Sequence, residues 1–240
     1  FLYLSPLGEK ISGKALNSCF EYMERVNGGN GITRIENVCE EELKFFPEDK
    51  YSFVKKYDEY CYCRNDIVGL KGNKLKSKRH AYNQFVKKHS FRYAPYEKSM
   101  KEECDRLYDI WADDKRKKSS DDIYLHMIDE NRTVHSLALE YFEELSLAGR
   151  VVFVGDEIKA YSLGYEISKD VFCVLFEITD VKIDGISVFI FREFCNDAIL
   201  KKYKLINVMD DFCMENVKET KMSFRPTKMI PSYIIKKSEQ

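Results

Sequence analysis

The sequence predicts a mixed α/β fold, and two patterns carry that prediction. Apolar runs of strand-like composition alternate with stretches whose apolar residues recur every three to four positions. In the second half, three strand-like runs follow one another with only turn residues between them, which predicts antiparallel hairpins in a sheet flanked by helices. The chain has 240 residues and is 44% hydrophobic and 14% aromatic. That is enough apolar material for one large domain or two fused small ones.

Taken in order, residues 1–4 read as a strand closed by Pro6 and Gly8. Residues 12–26 read as a helix with Ser12 as N-cap and a stripe of Leu16, Cys19, Phe20, Met23 and Val26. Glycines at 28–31 break it. A short strand at 32–38 and a short helix at 40–46 lead to a Tyr-, Phe- and Val-rich strand at 51–63. A basic helix is expected at 72–89 and a strand at 91–96. Helices follow at 99–118 and 121–147, the second with a break near Asn131. Strands at 150–154, 158–167 and 171–179 are joined by Gly155-Asp156 and residues 168–170. A helix at 185–200 is apolar almost all round and is expected to be buried. A strand at 205–208, a helix at 211–221 and a strand at 229–235 complete the reading.

Charged residues make up 33% of the chain and the net charge is −1, ordinary for a globular protein. No run approaches 18 consecutive apolar residues, so no membrane span is expected. The chain opens on Phe1, and an earlier start is expected. Eight cysteines are scattered, most among apolar neighbours, which points to a reducing cytoplasm and small core side chains rather than disulfides. Paired Cys-x-x-Cys or His-x-x-x-His spacing is missing and His80, His89, His126 and His135 are spread out, so no metal is predicted.

The most asymmetric feature is electrostatic. Between Asp66 and Glu97 there is no acidic residue, yet this stretch holds Lys71, Lys74, Lys76, Lys78, Arg79, Lys87, Lys88 and Arg92. A solvated helix usually mixes both signs, because oppositely charged neighbours four apart stabilise it. One-sided charge suits a phosphate-bearing partner, a nucleic-acid backbone or anionic lipid headgroups; a merely basic exposed helix is the competing reading. On a helical wheel Leu75, Tyr82, Phe85 and Val86 form the apolar face, with Lys76, Arg79, Asn83 and Lys87 opposite. Lys74 and Lys78 fall at the edge of the apolar face. They either snorkel or face an internal cleft and hold an anionic group.

Four segments in order carry a family resemblance. The first runs from Leu70 to Phe85, with Gly72, Lys74, the pair Lys78-Arg79, Asn83 and Phe85. The second runs from Tyr141-Phe142-Glu143-Glu144-Leu145 through Gly149 to Ala160. The third is Phe176-Glu177-Ile178-Thr179-Asp180, followed by Gly185. The fourth holds Ile206-Asn207, Asp210-Asp211 and Lys221-Met222-Ser223-Phe224-Arg225-Pro226. Together they resemble the lysylphosphatidylglycerol-synthase C-terminal family (DUF2156), over residues 1–235. The resemblance implies two tandem GNAT-like units, here residues 1–97 and 98–240, related in architecture to Fem-type transferases. It also implies transfer of an amino acid from aminoacyl-tRNA to a lipid, peptide or cell-wall acceptor, without a cofactor. A cytoplasmic protein, peripheral at the inner membrane face, would fit. Where relatives show Leu-Arg, this chain has Val217-Lys218, which loses the bidentate fork of Arg.

The candidate residues follow. Glu177 and Asp180 would serve as base or hold a cationic donor side chain; turn or cap carboxylates are the alternative. Lys221 or Arg225 would stabilise an oxyanion. Lys74, Lys78, Arg79, Asn83, Asn207, Asp210 and Lys218 would bind substrate or phosphate. Lys182, Gly185 and Ser187 occupy the places where acyl-CoA enzymes carry Arg/Gln-x-x-Gly-x-Gly/Ala, a degenerate match competing with a plain helix start near Asp184. Two other functions therefore stay open: an acyl-CoA-dependent N-acyltransferase, and a non-catalytic module binding RNA or anionic membrane. The aromatic stretches 172–176 and 189–194 are expected in the core.

Overall fold

The computed structural model describes residues 1–6, 8, 11–28 and 31–238. The chain divides into two compact units. One comprises Phe1–Tyr60, Asp210–Glu219 and Lys228–Gln240; the other comprises Cys61–Met209 and Thr220–Thr227.

In the first unit, helix α1 (Gly13–Asn27) starts where the Ser12 hydroxyl accepts from the Ala15 N–H and stops at left-handed Gly28. Its Leu16, Phe20 and Met23 pack with Ile35 and Val38 of β1 (Ile35–Cys39) and with Ile235 of β8 (Lys228–Lys237). β1 and β8 are antiparallel. The stripe ends at Met23: Val26, expected inside, is 63% exposed, because the last turn extends past this core. The expected strand at 1–4 is reduced to one parallel bridge between Leu2 and Ile35. A 3-10 helix, Glu40–Phe45, leads toward β2 (Tyr51–Cys63), whose first ten residues belong to this unit.

The second unit is three-layered. Its sheet runs β7-β6-β5-β4-β3, with the last residues of β2 paired antiparallel to β7. The members are β3 (Phe91–Pro95), β4 (Ala148–Val154), β5 (Glu157–Ser168), β6 (Val171–Thr179) and β7 (Leu205–Asn207). β4, β5 and β6 are antiparallel neighbours, as the turn chemistry predicts; β3 also lies antiparallel to β4, whereas β6 and β7 are parallel. Alternation along the strands sorts side chains to two faces. Val151, Phe153, Tyr161, Leu163 and Ile178 meet α4 (Lys101–Lys118) and α5 (Asp122–Glu140) on one face. Val152 and Ala160 meet Phe85 of α3 (Lys76–Lys88) and Ile186, Phe189 and Ile190 of α6 (Ile186–Asn196) on the other. Helix α2 (Arg64–Gly69) follows β2, and α7 (Glu215–Ser223) starts in the first unit and ends in the second.

Several boundaries differ from expectation. α5 passes through Asn131 unbroken and stops at Glu140, short of 147. α6 ends at Asn196 because Asp197 turns away to cap the 3-10 turn Ala198–Leu200 and to pair with Arg150. α7 starts four residues late, since Asp210 and Asp211 accept from the Phe212 and Cys213 N–H groups and so fold a turn there. The start of α6 is set by Gly185, with no side-chain cap from Asp184.

Gly185 has φ +83°, and an added Cβ would lie 2.3 Å from the Ala81 carbonyl oxygen on α3. Both strain and clash forbid a side chain. Gly185→Ala is expected to lower stability by about 2–4 kcal/mol, read by urea denaturation. A loss under 0.5 kcal/mol would mean that α3 and α6 are less tightly seated than the structure shows.

Candidate active site

The parallel pair β6 and β7 is hydrogen-bonded only as far as Cys173 and Asn207. Beyond that point β7 stops while β6 continues along β5. A cavity of about 280 Å³ lies at this fork, lined by Val174, Leu175 and Glu177 of β6, Val208, Tyr62, Phe191, and Thr220, Lys221 and Phe224 at the end of α7. The carboxyl end of a parallel strand pair is where open sheets place ligands.

Glu177 sits opposite Phe176 and Ile178 in the strand alternation, and those two pack toward α4 and α5. Its carboxylate therefore faces the α3 side, where Lys78 interacts with it electrostatically. Burial pushes the Glu177 carboxyl up to about 8, and the attraction of Lys78 only partly opposes this. Burial likewise lowers the Lys78 ammonium, with Glu177 pulling it back up. The outcome is a carboxyl whose protonation changes near neutral pH, the property a general base or acid needs.

Three aromatic rings close the cavity. Phe224 meets Phe191 at 5.0 Å and Tyr62 at 6.3 Å between centroids, and the Lys78 Nζ lies 4.2 Å from the Phe224 centroid. Backbone bonds hold the 221–227 segment in place. The Tyr62 hydroxyl donates to the Lys221 carbonyl (2.8 Å), the Thr227 N–H donates to the Cys61 carbonyl (2.8 Å), and the Cys63 N–H donates to the Thr227 hydroxyl (2.9 Å). The Lys221 ammonium donates to the Val208 carbonyl at 2.6 Å, across the mouth of the fork.

Phe224 also lines a second cavity of about 210 Å³, with Asn65, Asp66, Lys71, Lys74, Leu75 and Arg225. Three cations thus converge beside one carboxylate. Arg225 holds φ +60°, a conformation that strains a residue with a side chain.

The structure gathers Glu177, Lys78 and Lys221 around one cavity and Lys74 and Arg225 around its neighbour. The other candidates line neither. Asp180 is buried in a turn, accepting from the Lys182 N–H (3.0 Å) and pairing with Lys159 (3.3 Å). Asn207 is buried and accepts from the Met209 N–H. Asp210 accepts from the Phe212 N–H, and exposed Lys218 pairs with Glu215.

Two helix-face expectations for α3 are corrected. Arg79 does not project outward: it donates to the Leu70 and Gly72 carbonyls, next to the left-handed Leu70. Val86, expected on the apolar face, is 40% exposed. Asn83, Lys76 and Lys87 are exposed as the wheel predicts. Around Gly185 the Ala81 carbonyl lies where a Cβ would project, and Lys182 and Ser187 are exposed.

Sequence reasoning missed Tyr62, Val208, Thr220 and Phe224 as cavity lining, and it placed Val174, Leu175 and Phe191 wholly in the core. Their only signal was the Ser-Phe-Arg-Pro run, read for its charges rather than its ring. Among the described residues, no group of three or more His, Cys, Asp or Glu side chains is arranged to hold a metal ion.

A mixed sheet layered by helices, with a forked parallel pair and a polar cavity at the fork, is the architecture of acyltransferase folds. The model of the family described as phosphatidylglycerol lysyltransferase, C-terminal, matches residues 2–236, and the chain belongs to that family. Among solved structures, it is similar to a conserved protein of unknown function from Bacteroides thetaiotaomicron VPI-5482 (TM-score 0.84, 26% identity, covering 97% of this chain and 77% of that one). L-PGS from Bacillus licheniformis shares the fold (TM-score 0.65, 14% identity, 92% and 72% covered). So does FemX (TM-score 0.55, 8% identity, 92% and 76% covered). No curated protein matches the chain.

Proposed function

We propose that this protein is an aminoacyltransferase that moves an amino acid from an aminoacyl-tRNA ester to a hydroxyl or amine on a lipid, peptide or cell-wall acceptor. The observation that carries the reading is Glu177, a carboxyl titrating near neutrality in a cavity shared with Lys221 and facing Lys78. The ester donor is already activated, so the protein has to orient it, stabilise charge and move one proton. The acceptor's oxygen or nitrogen bonds to the ester carbonyl carbon, and the ester C–O bond breaks. Glu177 takes the acceptor's proton and returns it to the departing ribose hydroxyl. Lys221 stabilises the intervening oxyanion. In this reading no cofactor takes part.

The cations of the α3 region suit the donor's phosphates, or the surface of an anionic membrane. Among the described residues no helix is long and apolar enough to cross a membrane. Lys74→Glu, Lys76→Glu and Lys87→Glu together should weaken tRNA binding about uniformly across sequences and flatten its salt dependence by about one unit per lost phosphate contact. Unchanged salt dependence would place the RNA elsewhere.

The test of the reading is transfer of radiolabel from charged tRNA to a lipid extract or peptide. Turnover is expected. Binding of RNA or vesicles without turnover would favour a non-catalytic module. A rise of several degrees in melting temperature with acetyl-CoA, and no transfer from any charged tRNA, would favour an acyl-CoA enzyme instead.

A further inference from the structure

The fork cavity has a charge composition that bears on the donor. Among the described residues lining it, Glu177 is the sole carboxylate. Both nearby ammonium groups already have partners: Lys78 faces Glu177, and Lys221 donates to the Val208 carbonyl. The remaining walls are chiefly Tyr62, Val174, Leu175, Phe191, Val208 and Phe224. Any aminoacyl group brings one cation, its α-ammonium. A lysyl or arginyl group brings a second cation, which would lie against apolar walls with no counter-charge and with two like charges nearby. Desolvating an unpaired charge is costly, whereas an apolar side chain gains by burial against these rings.

We infer that the amino acid transferred at this site carries an uncharged, apolar side chain, placed against Phe191, Phe224 and Leu175. This rests on the aminoacyl-transfer reading above and departs from the lysyl specificity in the family's description. The neighbouring cavity, with Lys71, Lys74 and Arg225, adds no carboxylate other than Asp66.

Bulk tRNA charged with one labelled amino acid at a time separates the two claims. Transfer from leucyl- or phenylalanyl-tRNA, at least about tenfold faster than from lysyl- or arginyl-tRNA, is the expected result. Equal or faster transfer from lysyl-tRNA overturns the inference and leaves the reading standing. No transfer from any charged tRNA overturns both. Calorimetry on the whole chain gives a second readout, with amino-acid amides as probes. L-Leucinamide should bind at least about tenfold more tightly than L-lysinamide or L-glutamic acid α-amide. Leucinamide binding no tighter than lysinamide binding overturns the inference. Leu175→Asp, which adds a second carboxylate to the wall, should raise lysinamide affinity relative to leucinamide; a ratio that does not move counts against the proposed placement of the side chain.

Discussion

Glu177→Gln is expected to lower aminoacyl transfer by about 10²–10⁴-fold, the usual contribution of a positioned base. The side chain keeps its size and its place on β6, so the fold should survive. Stability gives an independent sign. Burial raises the folded-state pKa to about 8 from an ordinary value of 4.5. The proton therefore binds the folded state more tightly. The stability this contributes is fully present below pH 4.5 and is lost as pH rises through about 8. Glutamine cannot ionise, so the variant escapes that loss. At pH 9 it should be more stable than the parent by about 1–3 kcal/mol, a figure reduced for the Lys78 ammonium left without its partner. At pH 5 the two should differ little. Urea denaturation at the two pH values checks this, and equal stability at both would show that the carboxyl is not desolvated.

Arg150→Met should cost about 3–5 kcal/mol, the largest stability loss expected of a single change outside the cavity. Arg150 forks onto Asp197 at 2.6 and 2.9 Å, with the side chains 14% and 10% exposed. Burial alone would raise the Asp197 carboxyl, but Arg150 brings it below the usual carboxylate range, helped by the Ile199 N–H and the Tyr93 hydroxyl. Removing the guanidinium strands a buried carboxylate between β4 and the end of α6. Because a domain of this kind is stable by only about 5–15 kcal/mol, the variant should melt far earlier. A depressed acid contributes stability above its unfolded pKa of 3.8 that disappears as pH falls through the lower folded value. The variant should therefore lose the parent's acid-side decline. The double change Arg150→Met, Asp197→Leu should recover most of the loss; failure to recover would mean that Arg150 acts through packing, not charge.

Local features were legible because local chemistry sets them. β2 is found at Tyr51–Cys63, the predicted bounds, since its aromatic and β-branched content leaves no competing period. The Ser12 cap, the Gly155 turn and the basic helix follow for similar reasons. What could not be read depends on residues far apart in the chain. Phe224 reaches Tyr62 and Lys78 only because the segment after α7 bonds back to Cys61 and Cys63. The fork exists only because β7 stops after three residues while β6 runs on. Arg79 turns inward to meet the Leu70 and Gly72 carbonyls, at a bend where Leu70 adopts a conformation that leucine rarely does. Gly185 looked like a phosphate-loop glycine, but its small size serves the approach of α3. Asp180, Asn207 and Asp210 sit at strand ends as expected, yet each accepts from a backbone N–H two residues on, a local use that competes with any site.

The central claim is that a carboxyl in the β6/β7 fork moves the acceptor's proton during transfer. The most direct test is single-turnover transfer from charged tRNA between pH 6 and pH 10, run on the parent and on Glu177→Gln. The parent's rate should climb about tenfold per pH unit and level off near pH 8, while the variant stays slow and flat. A parent profile with no inflection, or a variant that transfers as fast as the parent, would contradict it.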